Sequence, residues 1–137
     1  MDARVAAAQA ALDTIAAPYV KALGLTLLAI DGETVTLQLP ITPALVHGGG
    51  VVCGQSVLAA ADTAMVVALT AVLGGFKPMT TVQLSTSFLR PIPGDTPAVT
   101  LTCEVLRRGR TLAFGEISVL LPDGKLAAQA TTTYAFL

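Results

Sequence analysis

The sequence predicts an α+β fold in which about six antiparallel strands wrap around one long central helix, with an extra helix at the N-terminus. Residues 54–73 carry apolar side chains on every side, so this helix must be buried. The segments before and after it alternate apolar and polar residues, which is typical of strands with one buried face. A sheet and a helix of this kind cover each other best when the sheet curls around the helix.

The N-terminal segment, residues 1–23, is predicted to be a peripheral helix. Residues from Ala3 onward show an alanine-rich helical pattern, with Asp2 as the N-cap and Gly24 as the stop. Pro18 is expected to kink or split this helix. A chain of 137 residues suits one hydrophobic core, so we expect residues 1–137 to form a single domain.

Two strands are predicted before the central helix and four after it. Residues 25–30 and 33–39 flank Asp31-Gly32, a strong signal for a tight hairpin. A loop rich in proline and glycine follows at residues 40–50, and Gly74-Gly75 ends the central helix.

The four later strands are predicted to follow one another in a simple antiparallel meander. In the first, Val82, Leu84 and Phe88 are expected to share a face. In the second, the shared face comprises Val99, Leu101, Cys103 and Val105. Residues 111–120 and 126–136 form the last two strands, separated by the turn signal Pro-Asp-Gly.

Composition indicates a chain that associates with copies of itself. Hydrophobic residues make up 53% of the sequence and charged residues only 12%, which leaves little polar surface to cover a small monomer. We therefore expect a homodimer, or a tetramer built from dimers. A net charge of -1 argues against a general nucleic-acid binder, which normally carries a basic excess.

The expected location is the cytoplasm. Cys53 and Cys103 show no disulfide or metal-ligand spacing, and no signal-peptide core follows the first residues. Residues 51–75 are long and apolar enough to resemble a membrane span. We expect no membrane association, because a charged residue would sit near the midpoint of that span and soluble strand patterns follow it.

Asp62 is the candidate reacting group. It is the only charged residue between His47 and Lys77, in a stretch that is otherwise apolar or small. An ionised carboxylate in apolar surroundings costs several kcal/mol unless it is paired or hydrogen-bonded, so a chain that keeps one there usually uses it. We interpret Asp62 as a catalytic residue.

Gly54 is the second candidate, because it stands where the central helix begins. Helix starts expose unpaired N–H groups with a partial positive charge, and the absence of a side chain lets a ligand carbonyl approach closely. Asp62 is eight residues further on, roughly 12 Å along the helix axis, which is too far for one carbonyl to meet both groups. Two antiparallel helices about a two-fold axis would bring Gly54 of one chain to Asp62 of its mate.

The run His47-Gly48-Gly49-Gly50 is similar to the oxyanion loop of lipase-type α/β-hydrolases. Those enzymes also need a Gly-x-Ser-x-Gly elbow and a separate triad histidine, whereas this chain has a single histidine and no such elbow. Dinucleotide and phosphate-loop patterns are absent as well. A flexible turn that leads into the helix is the plain interpretation of these glycines.

Taken together, these residues resemble the hot-dog-fold thioesterases, and specifically the branch of phenylacetate-pathway acyl-CoA thioesterases. Cys53-Gly54-Gln55 stands where that family usually has His-Gly-Gly, and Asp62 falls at the position of its acid. The resemblance extends over residues 23–137. Its downstream parts are Phe88-Leu89-Arg90-Pro91, Gly94-Asp95, Gly109-Arg110, and Gly124 followed by Ala130 to Tyr134.

The resemblance implies hydrolysis of an acyl-CoA thioester. The Gly54 N–H would polarise the thioester carbonyl, and Asp62 of the other subunit would act as general base or as nucleophile. Thr80 and Thr81 open the next strand, where relatives carry a hydroxyl that fixes the water or the carboxylate, and Thr81 matches better. The role of His47 stays open between positioning water, holding structure and capping the loop.

Substrate contacts are expected from the helix start and from basic residues. Cys53 and Gln55 flank Gly54, and Cys53 is expected to be a buried, inert thiol. Arginine suits the phosphates of coenzyme A because its planar fork donates in pairs. The candidates are Arg107, Arg108 and Arg110, with Arg90 and Lys77 as additions to the same patch.

No metal or prosthetic group is expected, since coenzyme A enters as part of the substrate. Two other functions remain open. One is a related hot-dog hydratase or dehydratase, which would need a paired histidine and acid. The other is a non-catalytic acyl-CoA binding protein, in which Asp62 could be replaced without loss of ligand affinity.

Overall fold

The structure is a computed structural model that describes residues 2–137, so Met1 of the N-terminal segment lies outside the described residues. In chain order the elements are α1 (Ala3–Ile15), α2 (Pro18–Lys21), β1 (Thr26–Asp31), β2 (Thr34–Pro40), a 3-10 turn (Pro43–Leu45), α3 (Gly54–Leu73), β3 (Met79–Phe88), β4 (Ala98–Arg108), β5 (Leu112–Leu120) and β6 (Leu126–Phe136). The six strands form one antiparallel sheet that packs around α3. The predicted hot-dog fold is confirmed.

The N-terminal segment is split at the proline, as the sequence predicts. The Asp2 side chain caps α1 by accepting the N–H of Arg4 at 2.8 Å. Ala17 is extended, with ψ of 153°, because a residue before proline is kept out of the helical region, and Pro18 then opens α2. Gly24 adopts a positive φ of 71°, which ends the segment and turns the chain into β1.

The sheet order is β1-β2-β4-β5-β6-β3, so the predicted four-stranded meander is wrong for β3. β2 pairs with β4 over its whole length, from Thr34 opposite Glu104 to Pro40 opposite Ala98. Since β4 is paired on both sides, by β2 and β5, β3 cannot lie beside it, and β3 pairs instead with β6 at one edge of the sheet. The helix α3, roughly 30 Å long, carries the chain across the sheet to reach that edge.

Two local predictions also need correction. The β1–β2 hairpin turns at Gly32-Glu33 instead of Asp31-Gly32, since Asp31 pairs with Thr34 and only Gly32 has a positive φ. This is the pattern of a turn with glycine at the first central position. In β3, the register with β6 shifts between Thr81 and Gln83, so Val82 lies on a bulge and is 58% exposed.

The helix α3 is the centre of the core. Its apolar composition and length would suit a membrane span, with a mean hydropathy of 2.0, but 61% of that stretch is buried within the protein. A buried core helix can be equally long and apolar, and the sheet covers this one. The contact is close: a Cβ at Gly115 of β5 would lie 2.5 Å from the sulfur of Met65, so only glycine leaves room for that side chain.

Candidate active site

Asp62 lies in the middle of α3, half-buried, and two hydroxyl groups converge on it. Thr81 Oγ1 donates to Asp62 Oδ1 at 2.9 Å. The Tyr134 hydroxyl lies 2.5 Å from the same oxygen and 2.9 Å from the main-chain oxygen of Asp62. The other carboxylate oxygen, Oδ2, accepts no hydrogen bond from residues 2–137 and is the free acceptor of the site.

The sheet register explains why these two hydroxyls meet one carboxylate. Thr81 of β3 is directly paired with Tyr134 of β6, so their side chains are neighbours on the face that packs against α3. The bulge at Val82 follows immediately. Thr80 lies on the other face of β3, because successive strand residues alternate, and it forms no hydrogen bond with Asp62. Of the two candidate threonines, the structure brings Thr81 to Asp62.

Tyr134 is a site residue that the sequence reasoning missed. It is 3% exposed, and a buried tyrosine normally places its hydroxyl on a partner, which here is Asp62. Burial, followed by the hydrogen bond to Asp62, raises the pKa of Tyr134 well above its usual value. The phenol therefore stays protonated and remains a donor. The sequence did contain a signal for this residue: the chain has only two tyrosines, and Tyr134 is the one that falls in a predicted strand.

Gly54 is the first residue of α3, with Cys53 as its N-cap. The Gly54 N–H has no acceptor among the described residues, as expected at a helix start. Gly54 lines a surface cavity of about 280 Å³ together with Phe88 and Arg90. The eight-residue separation still places it roughly 12 Å from Asp62 along the helix, so one protomer does not bring these two groups together.

The residues that flank Gly54 differ in exposure. Cys53 is half-buried, so the expected burial of this thiol is wrong, and Gln55 is exposed. The Cys53 sulfur lies 3.0 Å from the Ser56 hydroxyl. Hydrogen bonds from the Ser56 side chain and from its N–H lower the pKa of Cys53.

His47 caps its own turn. The Gly49 N–H donates to Nδ1 of His47 at 2.8 Å, and the Gly50 N–H donates to the His47 carbonyl at 3.0 Å. The imidazole is exposed, and it forms no hydrogen bond with Asp62 or Gly54 within the part of the chain that is described. In one protomer, the observed contacts of His47 are those of a loop cap.

The predicted phosphate-binding arginines form a cluster at the β4–β5 turn. Arg107, Arg108 and Arg110 line a shallow surface cavity with Lys77, whose ammonium lies 4.6 Å from the centre of the Phe136 ring. Arg108 is already engaged, because its guanidinium donates two hydrogen bonds of 3.1 Å to one carboxylate, that of Glu33.

Arg90 does not belong to that cluster. It follows β3 at the opposite end of the sheet, lines the Gly54 cavity, and donates from Nη1 to the Leu126 carbonyl at 2.8 Å. The nine residues of β5 separate the two ends by roughly 30 Å. The expectation that Arg90 extends the patch is therefore wrong within one protomer. Among residues 2–137, no three His, Cys, Asp or Glu side chains gather as potential metal ligands.

Comparison with known proteins agrees with this fold. Solved structures with the same fold include conserved protein PA5202 from Pseudomonas aeruginosa, at 26% identity and a TM-score of 0.79, covering 90% of this chain and 96% of that one. The PaaI protein of the E. coli phenylacetic acid degradation operon has 20% identity and a TM-score of 0.81, covering 98% and 96%. Thioesterase HI1161 from Haemophilus influenzae has 21% identity and a TM-score of 0.81, covering 92% and 85%.

No curated protein matches the sequence significantly. A family model does match, over residues 46–128, which is more than half of the chain and includes Gly54, Asp62 and Thr81. The matching model describes the thioesterase superfamily. The chain, with its hydroxyl-bound carboxylate on the central helix, is therefore a member of the thioesterase superfamily.

Proposed function

We propose that the protein hydrolyses an acyl-CoA thioester to a free acid and coenzyme A, in the cytoplasm and as a homodimer. The observation that carries the proposal is the Asp62 carboxylate, with one oxygen fixed by Thr81 and Tyr134 and the other free. Membership of the thioesterase superfamily supports thioester hydrolysis in general.

In the proposed reaction the thioester carbonyl oxygen accepts the Gly54 N–H. Attack by water forms a C–O bond, and negative charge develops on that oxygen, where the N–H stabilises it. Asp62 Oδ2 takes the proton of the attacking water. Collapse of the intermediate breaks the C–S bond, and the thiolate of coenzyme A leaves and takes up a proton. In the alternative course Asp62 itself attacks and a mixed anhydride is then hydrolysed.

The proposed site needs two subunits, and β3 supports the pairing. β3 is an edge strand of ten residues, so one row of its backbone groups is free to pair with another chain. Large apolar side chains are exposed on or beside it: Val82 at 58%, Phe88 at 53% and Leu89 at 53%. Burial of these groups about a two-fold axis would bring a second α3 close to the first.

For the nucleotide of coenzyme A we propose Arg90 as the first contact. Arg90 shares the cavity of Gly54, and its bond to Leu126 uses only one of five guanidinium donors. Arg107 and Arg110 form no ion pair among the described residues and remain candidates for phosphates that reach the other end of α3. A hydratase is not favoured, because His47 bonds within its own turn.

The test is thiol release from a panel of acyl-CoAs by the wild-type protein and by Asp62→Asn. The amide keeps an oxygen for Thr81 and Tyr134 but cannot take a proton, so we expect release to fall by about two orders of magnitude or more. Asp31→Asn, at an exposed position, is the matched control and should leave the rate unchanged. Equal rates in the wild type and Asp62→Asn would refute the role of Asp62.

The same panel separates catalysis from mere binding. A wild-type protein that binds acyl-CoA without releasing thiol would be a binding protein, and the proposed hydrolysis would then be wrong. Release that survives in Asp62→Asn would place the reaction on another group. A hydratase would convert an unsaturated acyl-CoA without producing any thiol.

A further inference from the structure

A second cavity, of about 240 Å³, lies between the N-terminal helices and α3. We refer to it as the helix cavity. Ala8, Ala11 and Leu12 of α1 form one wall, and Val66 of α3 forms part of the other. The cavity exists because α1 presents small alanine side chains to the central helix, so the two helices approach without filling the space between them.

The wall formed by α1 is fixed in place. Val5 and Ala8 are buried at 5% and 4% exposure. Gln9 ties the helix to the sheet, since its Oε1 accepts the N–H of Leu27 at 2.7 Å and its Nε2 donates to the carbonyl of Leu25 at 3.3 Å. A wall anchored by both packing and hydrogen bonds defines a cavity of fixed size.

The helix cavity reaches the reacting group. Asp62 and Tyr134 are among its lining residues, so the cavity and the proposed base belong to the same protomer. Two large apolar residues at the lining are partly open to solvent: Ile15 at 44% and Phe76 at 41%. An acyl chain that starts at Asp62 therefore meets a continuous apolar lining.

The remaining polar groups of the lining are already committed. The Thr63 hydroxyl donates to the Ala59 carbonyl at 2.7 Å, and the Thr70 hydroxyl donates to the Val66 carbonyl at 2.8 Å. No lysine, arginine or histidine of residues 2–137 lines the helix cavity. A negatively charged acyl group would lose its hydration there without gaining a partner, at a cost of several kcal/mol.

We infer that the helix cavity is the acyl pocket of the enzyme and that it selects uncharged, apolar acyl groups of limited length. This inference rests on the proposed function. An apolar cavity of about 150 Å³ accommodates a benzene molecule, so the larger helix cavity suits an acyl group of about six to ten carbons. The alanines of α1 set this limit, and the N-terminal helix is thus a specificity element.

The experiment compares Ala11→Phe, which fills the helix cavity, with Ala10→Phe, its matched control on the exposed face of α1. For the wild type we expect kcat/KM for octanoyl-CoA to exceed the values for acetyl-CoA and for succinyl-CoA by about tenfold or more. Ala11→Phe should lower the octanoyl-to-acetyl ratio by about tenfold, and Ala10→Phe should leave it unchanged. A ratio that is unchanged in Ala11→Phe overturns the inference.

Leu12→Ala provides the opposite change and carries the test if Ala11→Phe does not fold. It enlarges the helix cavity, so the preferred acyl chain should become longer than in the wild type. An unchanged chain-length profile in Leu12→Ala also overturns the inference. Because both readouts are ratios, a general loss of activity does not imitate the expected result.

Failure of the proposed function looks different. In that case the wild type releases no thiol from any acyl-CoA, and binding of acyl-CoA analogues with a methylene in place of the sulfur replaces the rate measurement. Tighter binding of the octanoyl than the acetyl analogue, lost in Ala11→Phe and kept in Ala10→Phe, supports the pocket without hydrolysis. Equal binding of the two analogues by the wild type overturns the pocket.

Discussion

The middle of α3 and the start of α3 differ in how much of the proposed site one chain completes. At Asp62, the carboxylate already has two donors from its own protomer, Thr81 and Tyr134. At Gly54, which lines a surface cavity, the N–H has no acceptor within residues 2–137. The proposed base is therefore positioned by the fold of one chain, whereas in the proposed mechanism the Gly54 N–H acts only when another chain supplies Asp62.

This difference has a physical origin. A half-buried carboxylate must be satisfied in every protomer, whether or not substrate is present, because leaving it unpaired costs folding free energy. At a helix N-terminus an N–H without a protein partner costs little folding free energy, because water can accept its hydrogen bond. One chain can thus fold with the Gly54 N–H unpaired, whereas it cannot fold at the same low cost with the Asp62 carboxylate unpaired.

Removal of the Gly54 N–H should have the largest effect. Gly54→Pro deletes this donor at the first helical position, where proline is tolerated, and Cys53 already has the extended ψ of 149° that precedes proline. One oxyanion donor is worth about 10²- to 10³-fold, so we expect thiol release to fall by that factor.

Gly54→Ala is the control for this variant, because it keeps the N–H and adds only a Cβ. That Cβ would lie 3.4 Å from the Phe88 ring, an ordinary contact. Both variants should unfold at nearly the wild-type temperature, measured by circular dichroism. Wild-type activity in Gly54→Pro would remove the Gly54 N–H from the mechanism.

Complementation between two inactive variants tests whether Gly54 and Asp62 of one site come from different chains. Gly54→Pro and Asp62→Asn chains are unfolded together and refolded as a mixture. A mixed dimer contains one site built from the intact Gly54 of one chain and the intact Asp62 of the other. With random pairing, half of the dimers are mixed and half of their sites are intact, so about a quarter of wild-type activity should return. Activity no higher than that of the separate variants would mean that each site lies within one chain.

Loss of the Tyr134 hydroxyl should have an intermediate effect. A hydrogen bond to a charged group is worth about 1.5–3 kcal/mol, so Tyr134→Phe should lower kcat by about 10- to 150-fold while KM stays unchanged. Thr132→Val is the matched control, since it removes another buried hydroxyl from β6, one that donates to the Gln83 carbonyl at 2.8 Å. Equal kcat losses in both variants would mean that Tyr134 acts only through stability.

The sequence was sufficient for the parts of the molecule that depend on local pattern. The apolar period of α3, the proline that splits the N-terminal segment and the isolated charge at Asp62 each follow from neighbouring residues. Gly54 follows as well, because helix starts have unpaired N–H groups wherever they occur. These features could be predicted without knowing which strands are neighbours.

The parts that were wrong or missed depend on long-range pairing. β3 lies beside β6 and not beside β4, because β2 occupies the side of β4 that a meander would give to β3. That pairing brings Tyr134 to Thr81 and Asp62, across more than fifty residues of chain. The separation of Arg90 from the arginine cluster follows from the same topology, since the two lie at opposite ends of β5. Alternation within single strands does not contain this information.

The smallest expected effect concerns stability at high pH. Ionisable groups in the core around the middle of α3 and the thiol at the start of α3 should change the free energy of unfolding in opposite directions. Burial, with a further contribution from Glu104, raises the pKa of Cys103 from 9.0 to about 12, and the pKa of Tyr134 is also raised. Between pH 9 and 12 the unfolded chain loses these protons while the folded chain keeps them, so stability falls as pH rises. Cys53, whose pKa is lowered, opposes this trend only weakly, because it is half-exposed.

Urea unfolding at pH 8, 9, 10 and 11 measures this balance. For the wild type, the urea concentration at the unfolding midpoint should decrease as the pH is raised beyond 9. The decrease should be smaller in Cys103→Ala and, above pH 10, in Tyr134→Phe. Each of these variants removes one group that must ionise on unfolding. Cys53→Ser is the control at the helix start, and its midpoint should fall as steeply as that of the wild type or slightly more steeply. A steeper fall in Tyr134→Phe would mean that the phenol ionises in the folded protein, and it could then not serve as a standing donor to Asp62.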